Sequence, residues 1–368
     1  MSFLLLLTLL MATPSAQLHQ DWVLGVDDPD IYFGMGARLA VAENGTLYVL
    51  DPGRHTITAF DTEGKPKFSF GSKGNGPGEF VEPGALAISP GGELVVFDTS
   101  LKRRIVFDPA GNYQRDAFFE AGIVAIREAV ALDQDYSALV TAKLDKEGRP
   151  IYDLSLYDPQ MKPVKSLQRL TVKPLDWSKS NNSAFWVTFL AQQFELLGKA
   201  MPMVTGVGKG RLAATRITRY QLALFDMRGE KIGSAPRDIK PLFFNEATRE
   251  AAFKTVWHNL AAENFLTDKL KRPVFEKAKK AAELPPVLPV VHRMAKTDTG
   301  FAVLYNYHPL KRAGILAFHD AAGKVTGEVP FEGPAEFIAV RGDKVYSVGE
   351  NAEGDIVVTR FSLINGTI

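Results

Sequence analysis

Two stretches of the chain decide its fold when laid over each other: "LAVAENGTLYVLDPGRHTITAFDTEGK" (Leu39–Lys65) and "LAISPGGELVVFDTSLKRRIVFDPAGN" (Leu86–Asn112). Without a gap, Leu39 meets Leu86, Gly45 meets Gly92, Asp51 meets Asp98, Phe60 meets Phe107, Asp61 meets Asp108 and Gly64 meets Gly111, each pair 47 residues apart. A fixed period of this size marks a repeat architecture. Within the unit, three short β-rich runs are separated by turn signals. "NG" (Asn44-Gly45) and "GG" (Gly91-Gly92) supply the positive φ of tight hairpins, and "FDTEG" and "FDPAG" close a second hairpin in which Asp bonds its own turn. A fourth run, "KFSFG", leads out. Four strands in about 45 residues is the pattern of a propeller blade.

Weaker copies follow at "LSLYDPQMK" (Leu154–Lys162), "LALFDMRGE" (Leu222–Glu230) and "GILAFHDAAGK" (Gly314–Lys324). The last unit, "DKVYSVGE" with "DIVVTRFSL", lacks an outer strand, and the early β run Trp22–Leu24 is available to complete it. The prediction is an all-β, six-bladed β-propeller closed by its N- and C-terminal strands sharing one blade.

The glycine-rich stretch "GSKGNGPGEFVEP" (Gly71–Pro83) resembles a phosphate loop at first sight. A P-loop needs G-x-x-x-x-G-K-[ST] opening a helix. Here Gly76 is followed by Pro77, and the chain enters the strand "ALAIS". The stretch reads as a connector from the outer strand of one blade to the inner strand of the next.

The run from Phe70 to Asn112 resembles the NHL-repeat type of six-bladed β-propeller: a G-x-G-P-G-E-F crossover, then a strand, then V-x-D-x-x-x-x-R-I-x-x-F-D-x-x-G, matched in order by Asp98, Arg104, Ile105, Phe107, Asp108 and Gly111, with Arg104-Ile105 one residue later than the motif's R-I. The likeness is specific over Gly36–Phe119 and is greatest to exported bacterial six-bladed proteins of mostly unassigned function. It implies the fold and hardly any activity, because propellers host enzymes, sensors and scaffolds alike.

Two departures break the period. Asp158 and Asp226 are 68 residues apart, with the excess around "DWSKSNNSAFWVTFLAQQFELLGKAMP", which carries Trp177 and Trp186 and is expected to add aromatic contact surface. Asp226 and Asp320 are 94 apart, twice the step. The middle of that interval, about 241–284, is helical in composition, so a helical insertion is expected between blades 4 and 5. Phe253, Val256, Trp257, Leu260 and Ala261 form one apolar stripe there, and Pro273 is expected to break the helix before "VFEKAKKAAEL" resumes it. Lys269, Lys271, Arg272, Lys277, Lys279 and Lys280 read as the solvated face opposite that stripe, or as a patch for an acidic partner or membrane.

Composition bounds the function. Apolar residues are 46% and charged residues 23%, which is globular, and a net charge of +1 gives no global field toward nucleic acid. The first residues, "MSFLLLLTLLMATPSAQ", carry an apolar stretch too short to span a membrane and read as a signal peptide over 1–16, cleaved after Ala16, with the propeller over 17–368 and no transmembrane segment after cleavage. With no cysteine there is no disulfide, thiolate nucleophile or Cys-ligated zinc.

No histidine falls in a metalloprotease spacing and no serine in G-x-S-x-G. The resemblance implies that a divalent metal, Ca²⁺ for instance, could sit in the central channel, as in lactonase-like six-bladed enzymes. The "DDPD" run (Asp27–Asp30) is one conceivable ligand cluster, although it reads first as turn residues. Three N-x-[ST] sequons occur, at Asn44, Asn181 and Asn365. Repeat geometry nominates one face of the ring for binding. The loops after Asp51 and Asp98 place Arg54, His55, Lys102 and Arg103 there, while Arg104 is read as a brace of its own blade. The expectation is an exported, monomeric, non-catalytic binding or scaffold propeller that presents this face to a protein, peptide or glycan of the cell envelope. The alternative is a divalent-metal-dependent enzyme of lactonase or lyase type with its site in the channel.

Overall fold

The computed structural model describes residues 16–368 apart from 27, 29, 121, 146–149, 197–200, 209, 260–267, 284–285 and 367–368. Six four-stranded antiparallel sheets follow one another around a ring. The first strand, β1 (Gln17–Leu24), belongs to the last blade. Blade 1 is β2 (Arg38–Val41), β3 (Leu47–Asp51), β4 (Thr56–Phe60) and β5 (Pro66–Phe70). Blade 2 is β6 (Pro83–Ile88), β7 (Leu94–Asp98), β8 (Arg103–Phe107) and β9 (Tyr113–Phe118). Blade 3 is β10 (Ile123–Ala131), β11 (Ser137–Leu144), β12 (Pro150–Tyr157) and β13 (Pro163–Thr171). Helix α1 (Ser183–Leu196) intervenes before blade 4, which is β14 (Pro202–Val207), β15 (Arg211–Arg216), β16 (Arg219–Phe225) and β17 (Lys231–Pro236). Helices α2 (Glu246–Asn259) and α3 (Asp268–Ala281) precede blade 5, which is β18 (Val291–Lys296), β19 (Gly300–His308), β20 (Ala313–Asp320) and β21 (Val325–Glu332). Blade 6 is β22 (Phe337–Arg341), β23 (Lys344–Glu350) and β24 (Ile356–Ile364), completed by β1 as its outer strand. Gln17 pairs with Ile364 and Leu24 with Val358, so the ends of the ring are held by one ladder, as the incomplete last repeat predicts.

The blades are held to one another through their middle strands. β3, β7 and β8 are buried at every position, because each blade is covered on both sides by its neighbours. An apolar cluster fills each of the six junctions. Leu50, Ile57 and Phe80 meet Val96, Ile105 and Phe107 between blades 1 and 2. Leu47, Val49 and Phe60 meet Tyr346, Val348 and Val358 between blades 1 and 6. The same pattern recurs at the other four junctions.

The repeat aspartates act as the sequence predicts. Asp61, Asp108, Asp226 and Asp320 each accept two backbone N–H groups of their own turn through one oxygen, and Asp158 accepts that of Lys162. Asp51 and Asp98 do something further. Each ends the second strand of its blade and ties the incoming crossover to the following turn: Asp51 takes Gly34 N and Gly53 N, Asp98 takes Val81 N, Glu82 N and Leu101 N.

Gly71–Pro83 is the crossover from β5 to β6. Phe80 N donates to Ser72 O and Gly74 N to Phe80 O, folding the stretch on itself around a buried Phe80. The Glu79 carboxylate accepts Gly76 N at 2.6 Å. The anion in this loop is therefore its own side chain, and a Cβ at Gly74 would run into that carboxylate.

The two departures from the period both lie at crossovers, and both are helical. α1 is absent from the sequence reading, which saw only excess length between blades 3 and 4. α2 and α3 match the expected insertion: its stem closes where Phe243 bridges Val287 and Leu288 N donates to Leu242 O. Asn245 caps α2 through Thr248 N, while Thr248 Oγ1 accepts Asn245 N. Pro273 does not break α3, which runs through it. Burial of Val274 and Ala278 against α1 compensates for the lost backbone bond. Of the expected stripe, Phe253 is buried, whereas the side chains of Val256, Trp257, Leu260 and Ala261 lie outside the described residues. The signal-peptide reading, over 1–16, also falls almost wholly outside them. Among the described residues no helix is long and apolar enough to cross a membrane.

Candidate functional site

An antiparallel blade sends its loops to two faces. The crossovers between blades and the turns between second and third strands share one, the crossover face; the other turns share the opposite, turn face. α1, α2 and α3 leave from crossovers and so lie on the crossover face. Although they come from two insertions, they share one apolar core: Phe185, Trp186, Leu190 and Phe194 of α1 pack with Phe253 of α2 and with Val274 and Ala278 of α3. Phe194 is fully buried, its ring centroid 4.4 Å from that of Phe253. The Lys279 ammonium pairs with Glu250, tying α3 to α2. This helical cap is joined to the ring where Leu196 packs with Ala142, Tyr152 and Val172 of blade 3.

The cap changes the role of several residues. Trp186, expected as contact surface, is 9% exposed and donates its indole N–H to Ser180 O at 2.7 Å. Trp177 is 45% exposed and stands edge-on to Phe189 and tilted against Phe185. Lys279 is spent on Glu250 and Glu276.

The predicted binding residues separate into two kinds. Arg54 is exposed on the crossover face, its guanidinium 3.4 Å from the centre of the Tyr32 ring. His55 and Lys102 occupy the same repeat position in blades 1 and 2, and both have left-handed backbones, with φ of 57° and 52°. Lys102 Nζ reaches Ile123 O at 3.4 Å. Arg103 is a correction. It is the first residue of β8, not a turn residue, and is 5% exposed. Its guanidinium donates to Asn75 O, Gly76 O and Glu79 O and pairs with Asp116 at 3.2 Å. The glycine-rich crossover thus turns its carbonyls, not its amides, onto an internal cation, which leaves Arg103 no face to present. Arg104 is buried too, but it braces the next blade and not its own: it donates to Asp135 O and Pro159 O of blade 3.

What sequence reasoning missed is the charged lining of the central channel. A cavity of about 230 Å³ runs along the inner strands β2, β6, β10, β14, β18 and β22. At its crossover end stand Arg38, Arg127 and Arg293, with Glu128 and Glu336. Arg38 Nε donates to Gly84 O at 3.1 Å and Nη1 to Gly36 O at 2.5 Å. Arg293 donates Nε to Glu336 O and Nη1 to His292 O. The ring of Phe337 lies 3.9 Å from the Arg38 guanidinium carbon and 5.3 Å from that of Arg293. Burial, reinforced by Arg293, pushes Arg38 down to about 10. Burial likewise lowers Arg293 and raises Glu128, whose Oε2 accepts Val204 N. At the turn-face end Arg341 is paired with Asp298 and Glu43.

These positions carried no signal in the repeat. Arg38 and Ala85 are 47 apart, so the register aligns a charged residue with an apolar one. Among the described residues no group of three or more His, Asp or Glu could hold a metal. Of the "DDPD" run, Asp28 accepts Asp30 N and Ile31 N as a turn residue, and Asp27 and Pro29 lie outside the described residues. Asn44 likewise serves its own turn, accepting Thr46 N.

Residues 33–166 match a family model described as a 6-bladed beta-propeller, DUF5128. No curated protein matches the chain. Solved structures similar to it include a protein from Bacteroides fragilis classed as a candidate exported protein (9% identity, 96% of each chain covered, TM-score 0.47). A DUF4221-family member from Bacteroides vulgatus is 12% identical over 96% of this chain and 100% of its own, with a TM-score of 0.46. Virginiamycin B lyase from Staphylococcus aureus is 9% identical over 95% of this chain and 100% of its own, with a TM-score of 0.45. By blade count and closure, the chain is a six-bladed β-propeller.

Proposed function

We propose that this propeller is an exported, monomeric binding module whose working surface is the crossover face, where it receives a protein, peptide or glycan partner of the cell envelope. One observation carries the reading. Of the exposed large apolar side chains among the described residues, all but Val164 and Ile232 lie on the crossover face; Tyr32, Met35, Phe118, Trp177, Phe243 and Leu310 are examples. Such side chains gathered on one face mark a contact surface. The helical cap enlarges that face, and Arg54 stacked on Tyr32 adds an aromatic–cation pair of the kind enriched at binding hot spots.

The experiment is a paired substitution. Tyr32→Ser with Phe243→Ser on the crossover face is compared with Val164→Ser with Ile232→Ser on the turn face. Complexes from the native envelope are then sized by gel filtration. The reading expects the first pair to release the partner and the second to leave the complex intact. Equal loss from both, or from neither, contradicts it. N-terminal sequencing of the native protein tests export, for which a chain starting at Gln17 is expected and an intact Met1 is the contrary result.

A further inference from the structure

The crossover end of the channel holds two guanidinium groups that have every anchor except an anion. Arg38 and Arg293 each spend Nε and Nη1 on backbone carbonyls, and each keeps Nη2 without an acceptor among the described residues. Neither forms an ion pair among them, in contrast to Arg341 at the far end, which has two carboxylate partners. Both guanidiniums are set against Phe337, so their orientation is fixed before any ligand arrives. Arg127 stands beside them on the cavity wall. Three cations face two acids, Glu128 and Glu336, which leaves one positive charge. Farther in, each blade adds one small residue to the wall, Ala40, Ala87, Ala129, Gly206, Ala295 and Ala339, with Thr205 and Lys296 beside them.

From this arrangement we infer that the channel binds a small organic monocarboxylate, with its carboxylate on the free Nη2 groups of Arg38 and Arg293 and its apolar body along the alanine-lined wall. Guanidinium forks favour carboxylates, and such charge-assisted bonds are about twice as strong as neutral ones. A cavity of about 230 Å³ admits a body of a few carbons and excludes a macromolecule. The site is independent of the proposed macromolecular face, and either can fail alone.

The test is titration calorimetry on the full chain at low ionic strength, with hexanoate as the probe and hexanol, hexylamine and inorganic phosphate as comparisons. Hexanoate is expected to bind with a Kd of about 1 mM or tighter, and the neutral and cationic analogues not to register. Arg293→Gln should weaken hexanoate about tenfold. Because Arg293 also anchors Glu336 O, a second variant, Ala339→Leu, fills the wall without touching the charges and should abolish binding of hexanoate. No binding of hexanoate to the unaltered chain overturns the inference. So does hexanol binding equally well, phosphate binding in place of hexanoate, or hexanoate binding that survives Ala339→Leu.

Discussion

The two faces of this disk are built by the same repeat, yet they differ in what they leave open. On the turn face each repeat aspartate is consumed by its own hairpin, as Asp61 and Asp108 show, and the loops keep nearly the same length from blade to blade. On the crossover face the loops vary from the tight Gly71–Pro83 connector to insertions of an entire helix or two. Exposed aromatic side chains gather there, and the channel arginines open toward it. Short turns are fixed by backbone geometry, which tolerates few residue types. Crossovers are constrained only at their ends, so new structure and new chemistry accumulate in them.

Breaking the crossover face from within should have the largest effect. Arg103→Ala would remove the buried cation that three crossover carbonyls and Asp116 share, and is expected to cost about 3–5 kcal/mol in denaturant unfolding. Its neighbour in sequence, Lys102→Glu, alters a half-buried turn residue whose ammonium reaches one carbonyl, and should cost only about 1 kcal/mol. If the two cost the same, the assignment of Arg103 to the interior is wrong.

The cap is the next point of attack. Phe194→Ala removes the ring at its centre, worth about 3 kcal/mol in a buried aromatic site. Hydrogen exchange should quicken in α1 and α3 together and remain slow in β3 and β7. Faster exchange in α1 alone would mean that the two insertions do not form one unit.

A smaller, pH-dependent effect sharpens the contrast between exposed and buried aspartates. Asp153 of β12 is buried, which opposes its ionisation. The hydroxyls of Ser155 and Ser166, with Lys143, outweigh that and hold it at about 2. A depressed carboxyl stabilises the fold above its unfolded value near 4, and that stabilisation disappears as pH falls through 2. Asp153→Asn should therefore flatten the stability profile between about pH 4 and 2, by about 1 kcal/mol once the half-exposed Lys143 and Arg169 are discounted for solvent. An unchanged profile would contradict it. The smallest effect is expected at Lys102→Gly, where relief of the left-handed backbone offsets the added chain entropy, giving a change within about 0.5 kcal/mol.

The ring was legible because its determinants are local. Gly45, Gly92, Asp61 and Asp108 specify turns within a few residues of themselves, and a 47-residue register exposes them. Closure was legible for the same reason, from a last unit one strand short. What the sequence hid depends on distant neighbours. Arg103 reads as a turn cation until the crossover carbonyls close on it. Trp186 reads as surface until α3, about ninety residues later, covers it. Arg38 and Arg293 come from blades that are not neighbours in sequence, and no spacing rule brings them to one channel mouth.

The central claim is that the crossover face, cap included, is the surface that meets a partner. Site-specific photo-crosslinking in the native host tests it most directly, with the crosslinker placed in turn at Trp177, Leu310, Val164 and Ile232. The account predicts discrete adducts from Trp177 and Leu310 and none from Val164 and Ile232. Adducts confined to Val164 and Ile232 would contradict it.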